Sequence, residues 1–217
     1  MAGDLISLRD VQFHYDGGHV VLEGLDFELE ADQRVHLAGA NGSGKTTVLH
    51  LMVGLLPPES GQVVVLGKTR RREADFDEVR GKVGLVFQDA EDQLFCPTVL
   101  EDVAFGPMNL GKSRQETREI VARTLESLGL SGYESRITHK LSGGEKRLVS
   151  LACVLAMEPE ILLLDEPTAG LDDDIMQRII GILKGLAQPM VIVSHDREFV
   201  EAVTNVKVTL SRGKLVF

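Results

Sequence analysis

The sequence predicts an α/β fold in which a mostly parallel sheet is covered by helices on both faces. Three observations predict it. Short apolar runs of strand length alternate with helical stretches over much of the chain, the pattern of parallel strands joined by helical crossovers. The first 30 residues alternate apolar with polar at a period of two, which marks an N-terminal antiparallel β subdomain. Residues 99–129 read as mostly helical, which places an inserted helical subdomain within the sheet-forming sequence.

The chain has 217 residues, enough for one domain, with the β lobe near 1–30 and the helical lobe near 98–155. Strands are expected at 5–13 and 20–29, around a turn at Asp16-Gly17-Gly18, and at 35–37, 62–66 and 83–87. Helices follow at 45–53 and 114–128, the latter from apolar positions Ile120, Val121, Thr124, Leu125 and Leu128 at helical spacing. Later strands at 161–164, 190–193 and 206–210 alternate with helices at 144–157 and 173–186.

Hydrophobic residues make up 43% and charged residues 26%, which permits a sizeable core. The net charge of −10 argues against a general affinity for nucleic acid or anionic lipid. No stretch approaches the roughly 18 consecutive apolar residues that a membrane-spanning helix needs. The start, Met1-Ala2-Gly3-Asp4, carries neither a basic segment nor an apolar signal core. Cys96 and Cys153 are too few for a disulfide framework and are expected as inert thiols. The basic run at 68–72, followed at once by Glu73, Asp75, Asp77 and Glu78, reads as a solvated loop of mixed charge.

The chemistry begins at Gly39-Ala40-Asn41-Gly42-Ser43-Gly44-Lys45-Thr46, which matches the P-loop pattern GxxxxGK[ST] between an apolar strand and a helix. Glycines let consecutive backbone N–H groups point inward as a nest for phosphate oxygens. The helix that follows adds its positive N-terminal end. Lys45 is expected to reach the β- and γ-phosphates and Thr46 to ligate Mg²⁺. Thr47 supports the start of the helix and is counted with the nucleotide-binding set.

Asp165 and Glu166 stand at the end of the apolar run 161–164, at the carboxyl end of a strand, where sheets of this class place ligands. Asp165 is expected to hold Mg²⁺ directly or through water, and Glu166 to polarise the water that attacks the γ-phosphate. Together these features predict a P-loop NTPase that takes a nucleoside triphosphate with Mg²⁺.

Leu141-Ser142-Gly143-Gly144-Glu145 opens another helix and would be a second anion site, or only a helix cap. With these motifs in this order, the sequence resembles the ATP-binding cassette (ABC) subunits over essentially its whole length. The resemblance implies that Ser142, Gly143, Gly144 and Glu145 contact a nucleotide held by the P-loop of a second, identical or different, cassette. Glu145 stands where the family's LSGGQ signature usually has glutamine. It also implies that Tyr15 stacks on adenine, with Phe13 and His14 as its competitors. Gln88 would sense Mg²⁺ and link to a membrane partner, and Asp172 would communicate across the dimer. His195 would contact the γ-phosphate and orient Glu166. Asp173 and Asp174 are assigned instead to the dipole of the next helix. His14, His19, His36, His50 and His139 receive no metal assignment.

Residues 87–111 resemble the energy-coupling-factor subgroup, which imports cobalt, nickel or vitamins. That implies docking on a transmembrane coupling protein, a separate substrate-capture membrane protein, and a place on the cytoplasmic face of the membrane. Leu94, Phe95, Val99 and Phe105 suit such a docking surface, with core packing expected to claim half of them. Many relatives carry a C-terminal extension, whose dimer contacts are expected to be absent or replaced in a chain ending at Phe217. The rival reading is a soluble cassette acting on nucleic acid or ribosomes. The short span from Gln88 to Leu141 leaves no room for the long coiled coil of DNA-repair members, and translation-type members usually carry two cassettes.

Overall fold

The computed structural model describes residues 5–15 and 19–216. The expected turn at Asp16-Gly17-Gly18 and the first four residues lie outside this set. Strands β1 (Ile6–Tyr15) and β2 (His19–Leu29) pair antiparallel. They are joined by β4 (Ser60–Val65) and β5 (Lys68–Arg70) in a sheet of order β2-β1-β4-β5. The antiparallel lobe therefore does not end near residue 30, since β4 returns to pair with β1, Ile6 opposite Val65.

The basic run at 68–72 is correspondingly more ordered than a solvated loop. Arg70 is buried, and its guanidinium donates to the Val65 and Asp75 carbonyls and lies 3.4 Å from Glu78. Charge composition could not reveal this, because burial of one arginine depends on acceptors that the fold brings around it.

The second sheet has the order β10-β9-β3-β8-β7-β6. Strands β3 (Arg34–Ala38), β6 (Val83–Val86), β7 (Ile161–Asp165), β8 (Met190–Val193) and β9 (Val206–Ser211) run parallel, and β10 (Lys214–Val216) closes the edge antiparallel to β9. Alternation along these strands divides the interior in two. On β7, Ile161 and Leu163 enter the core beneath the antiparallel sheet, whereas Leu162 and Leu164 enter the core on the opposite face. Each such side chain contributes about 1.5–3 kcal/mol by leaving water.

Helix α1 (Lys45–Val53) packs Val48, Leu49, Leu51 and Met52 into the first core. Helices α2 (Val99–Asn109), α3 (Arg114–Ser127), α4 (Gly143–Leu155), α5 (Asp173–Gly185) and α6 (Arg197–Val203) supply the second. The helical stretch expected from 99 is split in two. Pro107 lies in the last turn of α2, Gly111 turns with φ +83°, and Ser113 with Glu116 forms a capping box that starts α3. Helix α6 was not anticipated. It is short, and its burial of Phe199, Val200 and Val203 rather than local propensity holds it.

Candidate active site

The loop between β3 and α1 needs its glycines. Gly39 has φ +153°, and a Cβ there would lie 2.6 Å from the Leu210 carbonyl oxygen; Gly44 has φ +101°, and a Cβ there would meet Val21 at 2.6 Å. Substituted residues would collide with backbone at the first and with packed core at the second. The loop ends in the free N–H groups of α1, the arrangement that binds phosphate.

An open cleft of about 800 Å³ lies over this loop, within the range of small-ligand sites. It brings together Tyr15, Asn41, Gly42, Gly44, Lys45, Thr46, Thr47, Gln88, Asp165, Glu166 and His195. Gly39 and Ser43 stand behind them in the loop. Lys45 is buried, and its Nζ donates to the Gly39 and Ala40 carbonyls at 2.8 and 3.0 Å.

Asp165 fits a divalent cation. Its Oδ2 accepts from Thr46 Oγ1 at 2.6 Å, while its buried Oδ1 has no hydrogen-bond partner. Burial pushes its carboxyl above the usual range, and the Thr46 hydrogen bond with nearby His50, Lys45 and Arg147 only partly offsets that. A buried oxygen without a donor is costly, and a hydroxyl beside a carboxylate is the hard-oxygen donor set that Mg²⁺ takes. Ser43 Oγ, also buried and without a partner, is a second orphan in the same loop. A bound cation and a proton would compete for Asp165.

Glu166 occupies the left-handed region, φ +46°, a strained conformation for a residue with a side chain. Its backbone N–H donates to the Val193 carbonyl at 2.8 Å, which holds the turn after β7 against β8. Its Oε2 accepts from the His195 backbone N–H at 3.3 Å, and its Oε1 lies 3.3 Å from His195 Nε2. The acid at the end of β7 and the histidine after β8 thus meet across the sheet. Glu166 is oriented toward the cleft rather than into solvent.

Of the three aromatic candidates, Tyr15 alone faces the cleft. It is 44% exposed, donates or accepts a 3.0 Å hydrogen bond with Thr47 Oγ1, and stands edge-on to Phe13. Phe13 is core, and the His14 ring is turned to Glu59 at 2.6 Å.

Five expected site residues lie away from this cleft. Ser142 caps α4, accepting from the Glu145 N–H, and is exposed together with Gly143. Gly144 packs near Ile175. Asp172 caps α5 through Ile175 N–H at 2.9 Å, while Asp173 and Asp174 occupy the first turn. Glu145, the fifth, is engaged within its own chain. Its carboxylate accepts from Ser142 N–H, the Tyr133 hydroxyl and Arg136, each at 2.8 Å. Those bonds, led by the Ser142 N–H and the Tyr133 hydroxyl, hold its carboxyl below the usual range. A carboxylate with these three donors braces the Ser142 turn.

Arg147 was missed. It is buried on α4 and donates to the Phe87 carbonyl at 2.7 Å and to the Gln88 carbonyl. Lys146 with Glu91, and Ser150 with Gln93, tie the same two segments. An arginine immediately before the apolar run of α4 was the available signal, since a buried guanidinium must find acceptors. These contacts tie the Ser142 helix to the segment that carries Gln88.

The comparisons agree with this geometry. The family model for the ABC transporter matches residues 22–169. The energy-coupling factor transporter ATP-binding protein EcfA of Methanothermobacter thermautotrophicus is 45% identical over 218 residues, covering 98% of this chain and 70% of that protein. The structure of cbiO1 from Clostridium perfringens, part of the ABC transporter complex cbiONQ, aligns with TM-score 0.85 and 31% identity, covering 99% of this chain and 87% of that one. A dimeric post-hydrolysis state of the ATP-binding cassette MJ0796 bound to ADP and Pi aligns with TM-score 0.89 and 26% identity, covering 98% and 97%. The chain belongs to the ABC transporter ATP-binding family and is an ATPase that uses ATP with Mg²⁺.

Proposed function

We propose that this ATPase drives an energy-coupling-factor importer for cobalt, nickel or a vitamin. It would sit on the cytoplasmic face of the membrane against a transmembrane coupling protein, with a separate membrane protein capturing the substrate. Among the described residues no helix is long and apolar enough to cross a membrane, so the reading assigns the crossing to partners.

The observation that carries it is an exposed apolar surface on the helical lobe. Phe95 is 65% and Phe105 48% exposed, their rings edge-to-face at 4.9 Å, with Met108 also exposed. Val99 and Leu94, the other two candidates, are claimed by the core. Asp102 holds the loop beneath Phe95 by accepting from the Phe95 and Cys96 N–H groups and the Thr138 hydroxyl. Exposed aromatics on a braced loop are the anchors a partner groove takes, and the Arg147 contacts lead from this lobe to Gln88. The names of the relatives support the same reading.

Ser142, Gly143, Gly144 and Asp172 lie outside the cleft of their own chain, which supports a head-to-tail sandwich of two cassettes. In it, Ser142 of one copy and the P-loop of the other would share a triphosphate. The docking reading is tested by co-expression with the transmembrane coupling protein of the same genome. Phe95→Glu is expected to abolish co-purification of the complex while ATP turnover by the free subunit stays within about twofold. A complex that forms unchanged with Phe95→Glu and Phe105→Glu together would defeat the proposed surface.

Tyr15→Ala is expected to weaken ATP affinity roughly five- to tenfold, the scale of one lost stacking contact. Titration with a fluorescent ATP analogue measures it, and an unchanged dissociation constant would remove Tyr15 from the adenine site.

A further inference from the structure

His36 lies in the middle of β3, three residues before Gly39. Its neighbours Val35 and Leu37 both enter the core beneath α1. Alternation turns His36 to the other face of the sheet, where a separate cavity of about 670 Å³ runs under α6. The ring is 9% exposed, and its Nε2 lies 3.1 Å from the Ser194 carbonyl oxygen. A carbonyl only accepts, so Nε2 carries the hydrogen and donates it. Burial holds the ring below the ordinary histidine value, and Lys207, His195 and Lys45 push it the same way against the Ser194 carbonyl.

We infer that His36 is a positioning residue for hydrolysis, holding the Ser194 carbonyl so that His195 is presented to Glu166. Ser194 and His195 are consecutive, and the peptide between them is planar. A fixed Ser194 carbonyl therefore sets the direction of the His195 N–H, which points at Glu166 Oε2. The other side of the turn is fixed too, because Ser194 Oγ accepts from Asp196 N–H at 3.1 Å as α6 begins. Without His36 the carbonyl of a residue only 5% exposed would lose its donor, and the turn would relax toward water in the cavity. The strand that leads into the phosphate loop thereby also sets the histidine that faces the hydrolytic acid.

The inference rests on the assignment of Glu166 and His195 to hydrolysis, and its test separates the two. His36→Leu removes the donor and keeps apolar bulk; His36→Gln restores an N–H donor of similar reach. Steady-state ATP hydrolysis with Mg²⁺ is expected to show kcat lowered about tenfold or more in His36→Leu, with KM within about twofold. His36→Gln should recover most of that kcat. In a His195→Ala background, which loses the imidazole but keeps the backbone N–H, His36→Leu should lower kcat by a smaller factor than in the parent, because part of what His36 positions is gone.

Parental kcat in His36→Leu, or an equal further loss in the His195→Ala background, would overturn the inference. If His36→Leu does not fold, His36→Gln and His36→Asn decide the matter, since the shorter amide falls short of Ser194. Equal kcat for those two would also overturn it. If His195→Ala and Glu166→Gln keep full activity, the underlying assignment fails instead.

Discussion

Glu166→Gln is expected to keep ATP binding and to lower turnover by roughly a hundredfold or more, the usual scale for loss of a general base. The substitution preserves shape and leaves an amide oxygen that still accepts from the His195 N–H. It removes the negative charge proposed to polarise the attacking water. Lys45, Thr46 and Asp165, assigned to the triphosphate and its cation, are untouched. Unhydrolysed ATP should then accumulate between two copies, with Ser142 of each closing the cleft of the other. Light scattering after size exclusion, with ATP and Mg²⁺, should show a larger dimer fraction than the parent protein gives. Monomer at all ATP concentrations would defeat the sandwich; undiminished turnover would remove Glu166 from its role.

Lys45→Ala is expected to lower ATP affinity roughly ten- to a hundredfold and to depress kcat as well. A hydrogen bond to a charged group contributes about 1.5–3 kcal/mol, and the role proposed for this lysine is to serve bound and reacting phosphate alike. Its Nζ bonds to Gly39 and Ala40 show a second role, as a tether across the phosphate loop. Lys45→Met, which keeps the buried stem, should retain thermal stability better than Lys45→Ala while losing the same affinity. Calorimetric titration with ATP separates the two roles. Unchanged affinity and turnover in both variants would exclude the phosphate contact.

Much of the site was legible because its signals are local. The P-loop reads as a strand, glycines at set spacing, and a helix, and the expected helix at 45–53 and strand at 190–193 match α1 and β8. Other elements depend on distant partners. The Lys68–Arg70 strand exists because β4 offers it an edge, and α6 because Phe199 has a core to enter. Neither fact is carried by the residues' immediate neighbours.

By itself the sequence determined which chemistry is present: glycines where the backbone must approach phosphate, a lysine and a hydroxyl beside them, and two acids at a buried strand's end. Local backbone geometry and residue type suffice for that. Only the tertiary structure decided which of these groups meet. It left Asp165 Oδ1 buried without a donor and set Glu166 against His195. It also engaged Glu145 with Tyr133 and Arg136, and placed Arg147 under Gln88. Those pairings follow from strand order and from the requirement that buried polar groups find partners, however far apart in the chain those partners lie.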